Sequence, residues 1–149
     1  MPVLRPHERR DMAQPVIRKG SKGDAVSRAQ TNLNLRGYDV GNVDGIFGAK
    51  TDRAVRWYQG DRGLTVDGTI GPRTWARLDP PTVRNGSRGQ AVTMLQQLLT
   101  DFGYDPGGID GEFGTDTESA VREFQTDLAH IGLEVDGIVG QRTWAALGS

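Results

Sequence analysis

The chain has 149 residues, no cysteine and two histidines, and its formal net charge at pH 7 is −1. The lack of cysteine excludes a disulfide framework and any thiol nucleophile. A net charge this close to zero argues against a general polyanion binder, which needs a strongly basic face. No stretch approaches the roughly 18 consecutive apolar residues of a membrane span.

Residues 1–15 are rich in charge and proline, and we expect them to form a flexible N-terminal arm. The segment has no apolar stretch and does not resemble a secretory signal peptide. The route by which the protein would reach the outside of a cell therefore stays open. One of the two histidines, His7, lies in this arm.

The rest of the chain is an internal repeat. Residues 20–59 align without a gap with residues 86–125, and residues 64–78 align with residues 133–147. Thirty of these 55 aligned positions are identical. The period exceeds the roughly 20–50 residues of solenoid units, so the sequence predicts two copies of one small module. We place module 1 at 16–79 and module 2 at 83–149, joined by a short, stiff, Pro-rich linker at 80–82.

Each module is predicted to be mostly α-helical, with three helices, because apolar residues recur at helical spacing in three places. The first helix of module 1 is predicted over residues 24–35, and it has a matching helix in module 2. The residues expected to face the cores are Val26, Ala29, Leu33, Ala54, Val55, Tyr58, Trp75 and Leu78 in module 1, and Val92, Leu95, Leu99, Phe102, Ala120, Val121, Phe124, Trp144 and Leu147 in module 2.

A shorter motif, Asp-Gly-x-apolar-Gly-x-x-Thr, occurs four times, each time just before a predicted helix. Asp-Gly favours a tight turn because glycine adopts positive φ, and the apolar residue is expected to enter the core. We expect the second glycine to be the N-cap and the threonine to lie near the free N–H groups of the first turn. The turn and cap residues are Asp44, Gly45, Gly48 and Thr51; Asp67, Gly68, Gly71 and Thr74; Asp110, Gly111, Gly114 and Thr117; and Asp136, Gly137, Gly140 and Thr143.

Together these motifs resemble the type 1 peptidoglycan-binding domain family over nearly all of residues 16–148. The family pattern runs Gly-Ser-x-Gly, Val-x-x-Leu-Gln, Gly-Tyr, Asp-Gly-x-Phe-Gly-x-x-Thr, Ala-Val-x-x-Phe-Gln and Thr-Trp-x-x-Leu. Module 2 follows it almost letter for letter, whereas module 1 departs at Ala29 and Tyr58, where the family prefers Leu and Phe. The resemblance implies a compact three-helix fold that binds bacterial cell wall, usually attached to a wall-cutting enzyme.

No catalytic motif accompanies the repeat. Zinc hydrolases need about three His, Asp or Glu ligands, and neither His7 nor His130 has a neighbouring ligand motif. The chain has no nucleophile-elbow sequence of a serine hydrolase. A glycosidase needs only two carboxylates, but the four repeated aspartates are already assigned to turns. We therefore expect no enzyme activity, no metal site and no cofactor.

Peptidoglycan offers sugar rings, which suit aromatic faces, and peptide carboxylates, which suit arginine. Core packing is the alternative for the two candidate tyrosines, and a solvated surface charge is the alternative for the arginines. Trp57 aligns with Glu123, so we expect it to be exposed or half-exposed, with a contact between the modules slightly favoured over a ligand platform. The two modules are accordingly expected to differ in affinity. The candidate ligand-binding residues are Tyr38, Arg56, Trp57, Arg73, Tyr104, Arg122 and Arg142.

The sequence thus predicts a non-catalytic protein that acts at the cell wall, with peptidoglycan glycan or stem peptide as its partner. Two copies on one chain would give avidity on a polymer with repeating epitopes. A cell-wall hydrolase is a further expected partner, whereas nucleic acid is not. The alternative is a structural or adaptor subunit of a phage tail or contractile injection particle, which the missing signal peptide favours.

Overall fold

A computed structural model describes residues 14–149, and these residues are mostly helical, as the sequence predicts. The chain divides between Asp79 and Pro80 into two compact units, each built on one copy of the repeat. The helices of module 1 are α1 (Asp24–Leu35), α2 (Ala49–Asp61) and α3 (Pro72–Leu78). Those of module 2 are α4 (Gln90–Asp101), α5 (Thr115–Asp127), a short 3-10 helix (Ala129–Ile131) and α6 (Gln141–Ala146).

Each module has its own hydrophobic core, formed where its helices meet the segments between them. The apolar residue of every turn motif enters this core, and Trp75 and Trp144 are buried there. Isolated antiparallel bridges join the first residues of each module to its turns: Ile17–Ile70 and Lys22–Ile46 in module 1, and Val83–Val139 and Arg88–Glu112 in module 2.

Phe102 differs from the expectation, because it is 54% exposed rather than part of the core stripe. Helix α4 ends at Asp101, so Phe102 is its C-cap, and Gly103 follows with a φ of 90°. Phe102 keeps αR backbone angles, and its ring lies at the edge of the core, 6.0 Å from that of Phe124 between centroids.

Most of the expected arm at 1–15 lies outside the described residues. Its last two residues pack in module 1: Gln14 Nε2 donates a hydrogen bond to Asp79 Oδ2 at 2.8 Å, and Trp75 Nε1 donates to the carbonyl oxygen of Pro15 at 2.9 Å. Satisfying the indole N–H of a buried tryptophan in this way removes a desolvation cost. Gln14 and Pro15 are thus part of the folded module.

The expected linker at 80–82 shows the same arrangement in module 2. Gln141 Nε2 donates to the carbonyl oxygen of Pro80 at 2.8 Å, and Trp144 Nε1 donates to that of Pro81 at 3.0 Å. Pro80 is itself buried. The two prolines therefore serve as the first packed residues of module 2, where Pro81 repeats the role of Pro15.

Candidate functional site

A buried glutamine organises each of the four turn motifs. In the first motif, Gln30 Nε2 lies 3.1 Å from Asp44 Oδ1, 3.0 Å from the carbonyl oxygen of Ile46 and 3.1 Å from Thr51 Oγ1. Gln30 Oε1 accepts a hydrogen bond from the Gly45 N–H at 2.9 Å. Because both ends of the amide are bonded, its burial carries little penalty. The four glutamines, each at most 1% exposed, are Gln30, Gln59, Gln96 and Gln125.

The other three glutamines bond their own aspartate, glycine and threonine in the same way. The threonines hold the expected third position of their helices. Their hydroxyls meet the glutamine amide instead of capping a helix, and no helix within residues 14–149 has a side-chain bond at its N-cap. Sequence reasoning missed the glutamines, although their recurrence before all four motifs was visible. The N-caps of the four helices that follow the motifs are Gly48, Gly71, Gly114 and Gly140.

Two of the candidate arginines are engaged within their own modules. Arg56 Nε lies 3.2 Å from Asp52 Oδ2, and Arg122 Nε lies 3.0 Å from Glu118 Oε2. The first pair covers Gly68, whose φ is +71° and where a Cβ would lie only 2.5 Å from Asp52 Oδ1. The positive φ is what favours glycine at this turn, because the ends of the Asp52 and Arg56 side chains can move aside.

The two candidate tyrosines hold equivalent positions beside the second helix of each module. The Tyr38 hydroxyl donates to Asp61 Oδ2 at 2.7 Å, and the Tyr104 hydroxyl donates to Asp127 Oδ2 at 2.5 Å. Burial, and then the bond to Asp61, raises the pKa of Tyr38, whereas for Tyr104 the bond to Asp127 is the main cause of a raised pKa. Both phenols therefore stay protonated at neutral pH. Tyr38 is only 8% exposed, and its ring packs edge-on against Trp57 at 5.6 Å between centroids.

Five candidates are exposed, and two of them, Arg56 and Arg122, are the ion-paired arginines. Trp57 is 60% exposed on α2. Arg73 on α3 and Arg142 on α6 are also exposed, and neither makes an ion pair or a hydrogen bond through its side chain to another residue of the range 14–149. Among the candidates, residues 14–149 thus present to a ligand one exposed aromatic face and two exposed guanidinium groups without an ion pair.

A cleft of about 420 Å3 opens in module 1 between the start of α2 and the loop that follows α1. Val40 and Ile46 give it apolar walls, and Lys50 lies at its rim. Asn34 holds the loop: its Oδ1 accepts from the Val40 N–H at 2.9 Å, and its Nδ2 donates to the carbonyl oxygen of Gly41 at 3.2 Å. The cleft is therefore braced from α1 rather than from α2.

Within residues 14–149, no group of three or more His, Asp or Glu side chains is arranged to hold a metal ion. His130 is exposed in the 3-10 helix of module 2. The same residues include no helix that is both long enough and apolar enough to cross a membrane.

Parts of this sequence are similar to known proteins. The curated relatives include "N-acetylmuramoyl-L-alanine amidase CwlM" of Mycobacterium tuberculosis, 37% identical over 113 residues, which cover 68% of this chain and 27% of the relative. A "Probable N-acetylmuramoyl-L-alanine amidase" of Bacillus licheniformis is 32% identical over 159 residues, covering 89% of this chain and 44% of the relative. The chain thus spans less than half the length of either relative.

Among solved structures, a peptidoglycan-binding protein from Clostridioides difficile, in complex with glutamine hydroxamate, is 51% identical with a TM-score of 0.42. The similarity covers 44% of this chain and 40% of that one. Residues 22–78 and 88–147 each match the family described as "Putative peptidoglycan binding domain". These two segments account for one match in each module, and the chain therefore belongs to the peptidoglycan-binding domain family as two tandem copies.

Proposed function

We propose that the chain binds bacterial peptidoglycan without cutting it and holds an associated enzyme at the cell wall. The observation that carries the proposal is that both family-matched segments fold as complete modules, and each leaves an arginine exposed on its last helix. Arg73 and Arg142 suit the carboxylates of peptide stems, because guanidinium groups form charge-assisted bonds with them.

The state of the repeated aspartates supports a non-catalytic role. A glycosidase needs a general acid with a raised pKa beside a second carboxylate. Here the backbone N–H groups two residues further on hold the pKa values of Asp44, Asp67 and Asp110 below the usual range. Each of these carboxylates also accepts a bond from its glutamine. These three carboxylates therefore stabilise turns and offer no proton donor.

The link to an enzyme comes from the relatives. Two of them have amidase names, and the chain matches only 27% and 44% of their lengths. A binding module that forms part of a longer wall-cutting protein concentrates the catalytic part on an insoluble polymer. We infer the same use for this chain, with an enzyme on the same polypeptide or on a separate one.

A pull-down on insoluble peptidoglycan sacculi tests the proposal, with soluble muropeptides measured in the same tube. We expect the chain to sediment with the sacculi and to release no muropeptide. Chemically unfolded chain is the control, because it carries the same net charge without the folded surface. Absence of binding would overturn the function as a whole, whereas release of muropeptides would overturn only its non-catalytic part.

A further inference from the structure

The two modules carry opposite net charges. Residues 16–79 contain eleven Lys and Arg against seven Asp and Glu, a net charge of +4, whereas residues 83–149 contain four against ten, a net charge of −6. The near-neutral total conceals this difference. A ligand that carries carboxylates is attracted to module 1 and repelled by module 2.

Four of the ten charge units that separate the modules lie on one face of the second helix of each module. Residues at i, i+3, i+7 and i+11 lie on one side of an α-helix. On α2 these positions give two cations and a tryptophan before a single carboxylate, and on α5 they give three carboxylates and a serine. The exposed residues are Lys50, Arg53, Trp57 and Asp61 on α2, and Asp116, Ser119, Glu123 and Asp127 on α5. We call the first set the α2 stripe.

Lys50 stands at the cleft end of the α2 stripe and is weakly held. Its Nζ lies 4.0 Å from Asp39 Oδ2, and the two side chains are 61% and 77% exposed. An ion pair this long and this exposed contributes little, so the ammonium group is available to a ligand. At Gly41 a Cβ would lie 3.2 Å from Lys50 Nζ. The glycine therefore leaves room beside the lysine.

The position of Lys50 opposes a general rule of helix stability. The N-cap of α2 is Gly48, so Lys50 is the second helical residue. A cation there is repelled by the positive end of the helix dipole, while an anion is stabilised. Module 2 follows the rule with Asp116 at the matching position. Proteins commonly break such local rules at functional sites, and Arg73 and Arg142 hold the same helical position in α3 and α6.

The loop beside the cleft is also held differently in the two modules. In module 2, Thr117 Oγ1 donates to the carbonyl oxygen of Pro106 at 3.0 Å, which ties the loop to α5. In module 1, the matching loop residue is Val40, and Asn34 on α1 holds it instead. The loop of module 1 is thereby anchored away from α2, on the side where the cleft opens.

Trp57 forms the other end of the α2 stripe. Its indole is 60% exposed, and Tyr38 supports it from the side with a ring that is fixed by the bond to Asp61. The C–H face of a sugar packs on such an aromatic face, because both surfaces are apolar and rigid. The exposed Asp61 carboxylate, one turn further along, can accept bonds from sugar hydroxyls.

Lys50 and Trp57 are seven residues apart, which corresponds to about 10 Å along a helix. An extended peptide covers that distance in about three residues. We propose that module 1 binds a glycopeptide on the α2 stripe, which has no counterpart in module 2, with a sugar on Trp57 and the free carboxylate of a short peptide at Lys50. The inference rests on the proposed function and names the part of peptidoglycan that is recognised.

Calorimetric titration of the full chain tests the proposal with three probes: a disaccharide that bears a three-residue peptide acid, the same molecule as its terminal amide, and the disaccharide alone. In Lys50→Asp we expect the acid to bind at least about tenfold more weakly, since one charge-assisted bond is lost, and the disaccharide to bind within about twofold of wild type. In Trp57→Ala we expect all three probes to lose about tenfold.

Fluorescence gives a second readout, because Trp57 is exposed whereas Trp75 and Trp144 are at most 2% exposed. Binding at the α2 stripe should therefore shift the emission of one tryptophan in the wild type and in Lys50→Asp. Circular dichroism checks that each variant is folded. By the helix-dipole argument, Lys50→Asp should retain or raise the thermal stability of the chain while it weakens binding.

The matched control variants are Asp116→Ala and Glu123→Ala in module 2, and we expect each to leave all affinities within about twofold. Equal losses in the control variants, or a Lys50→Asp variant that still prefers the acid to the amide as strongly as wild type does, would overturn the inference. If wild type sediments with sacculi but Lys50→Asp and Trp57→Ala do so equally well, the α2 stripe is excluded and wall binding stands. If wild type does not sediment, the proposed function itself fails.

Discussion

Gln30 on α1 and Asp44 in the following turn are joined by a hydrogen bond of 3.1 Å between Gln30 Nε2 and Asp44 Oδ1. The glutamine is 1% exposed, and the carboxylate lies at the surface. The bond thus fixes the turn from inside the module and leaves the charged group in water, where it costs least. The same relationship recurs with every turn motif, which makes the glutamines the strongest targets for a test of stability.

Gln96→Ala should destabilise module 2 by about 3 kcal/mol, because each buried group left without a partner costs about 1–3 kcal/mol. The Asp110 and Gly111 N–H groups, which now donate to Gln96 Oε1 at 3.0 and 2.9 Å, would lose their acceptor. The adjacent Gln97 is exposed and bonds only to Asp101, so Gln97→Ala is the matched control. Urea unfolding followed by far-UV circular dichroism measures both, and equal losses would contradict the assigned role.

Stability should fall in acid because of three aspartates. The pKa values of Asp44, Asp67 and Asp110 are lowered in the folded protein, first by backbone N–H bonds. The folded chain therefore binds fewer protons than the unfolded chain, so this stabilisation is complete above the unfolded pKa of about 3.9 and is lost as the pH falls through the folded values. Urea unfolding between pH 6 and pH 2.5 measures it. Replacing all three by Asn should make the free energy of unfolding depend less on pH. An equally steep pH dependence in that variant would show that these three carboxylates do not cause it.

Tyr58→Phe should stabilise module 1 by about 1 kcal/mol, since an unsatisfied buried hydroxyl costs about that much. Tyr58 is fully buried, and its hydroxyl has no hydrogen-bond partner among the described residues. Burial also raises its pKa. The matching residue of module 2 is Phe124, so Phe124→Tyr should lower stability by a similar amount. Urea midpoints report both changes, and a loss of stability in Tyr58→Phe would show that the hydroxyl has a partner.

Arg73→Ala combined with Arg142→Ala should weaken binding to sacculi, because two exposed guanidinium groups on α3 and α6 would be lost. The helical signal should be unchanged, since neither side chain bonds within its module. Arg56→Ala is the contrasting variant: Arg56 is paired with Asp52, and we expect its loss to change stability slightly and binding little. The measurement is a sacculus pull-down at several salt concentrations. Unaltered binding by the double variant would exclude carboxylate capture by these arginines.

Much of the fold could be predicted, because helical periodicity and repeated turns are local signals. Helix α1 begins and ends at the predicted residues, and the buried Phe47 and Ile70 follow from the Asp-Gly-x-apolar-Gly motif. Gln30 and its three counterparts were not predicted to be buried, since a lone polar residue is usually assigned to the surface. Their burial depends on partners 8 to 21 residues away, and these become visible only in three dimensions.

The candidate site was harder to predict than the fold. The net charge of the whole chain is close to zero because the positive charge of module 1 and the negative charge of module 2 cancel. The difference appears only when the net charge of each module is counted separately. Arg56 and Tyr38 were selected for suitable chemistry, yet the structure bonds one to Asp52 and the other to Asp61. Sequence alone does not show which polar groups are already satisfied by neighbours. Trp57 was recognisable because its counterpart in module 2 is Glu123. A tryptophan and a glutamate at matching positions do not fill the same structural role in the two modules.

The hydrogen bonds made by the buried glutamines also have a consequence for the rate of folding. Every side-chain bond made by Gln59 spans 8 to 15 residues, and those made by Gln125 span 11 to 18. Closing such short loops takes well under a microsecond. The turn motifs can thus form early in folding, before the chain ends of module 1 meet at the bond between Trp75 Nε1 and the carbonyl oxygen of Pro15.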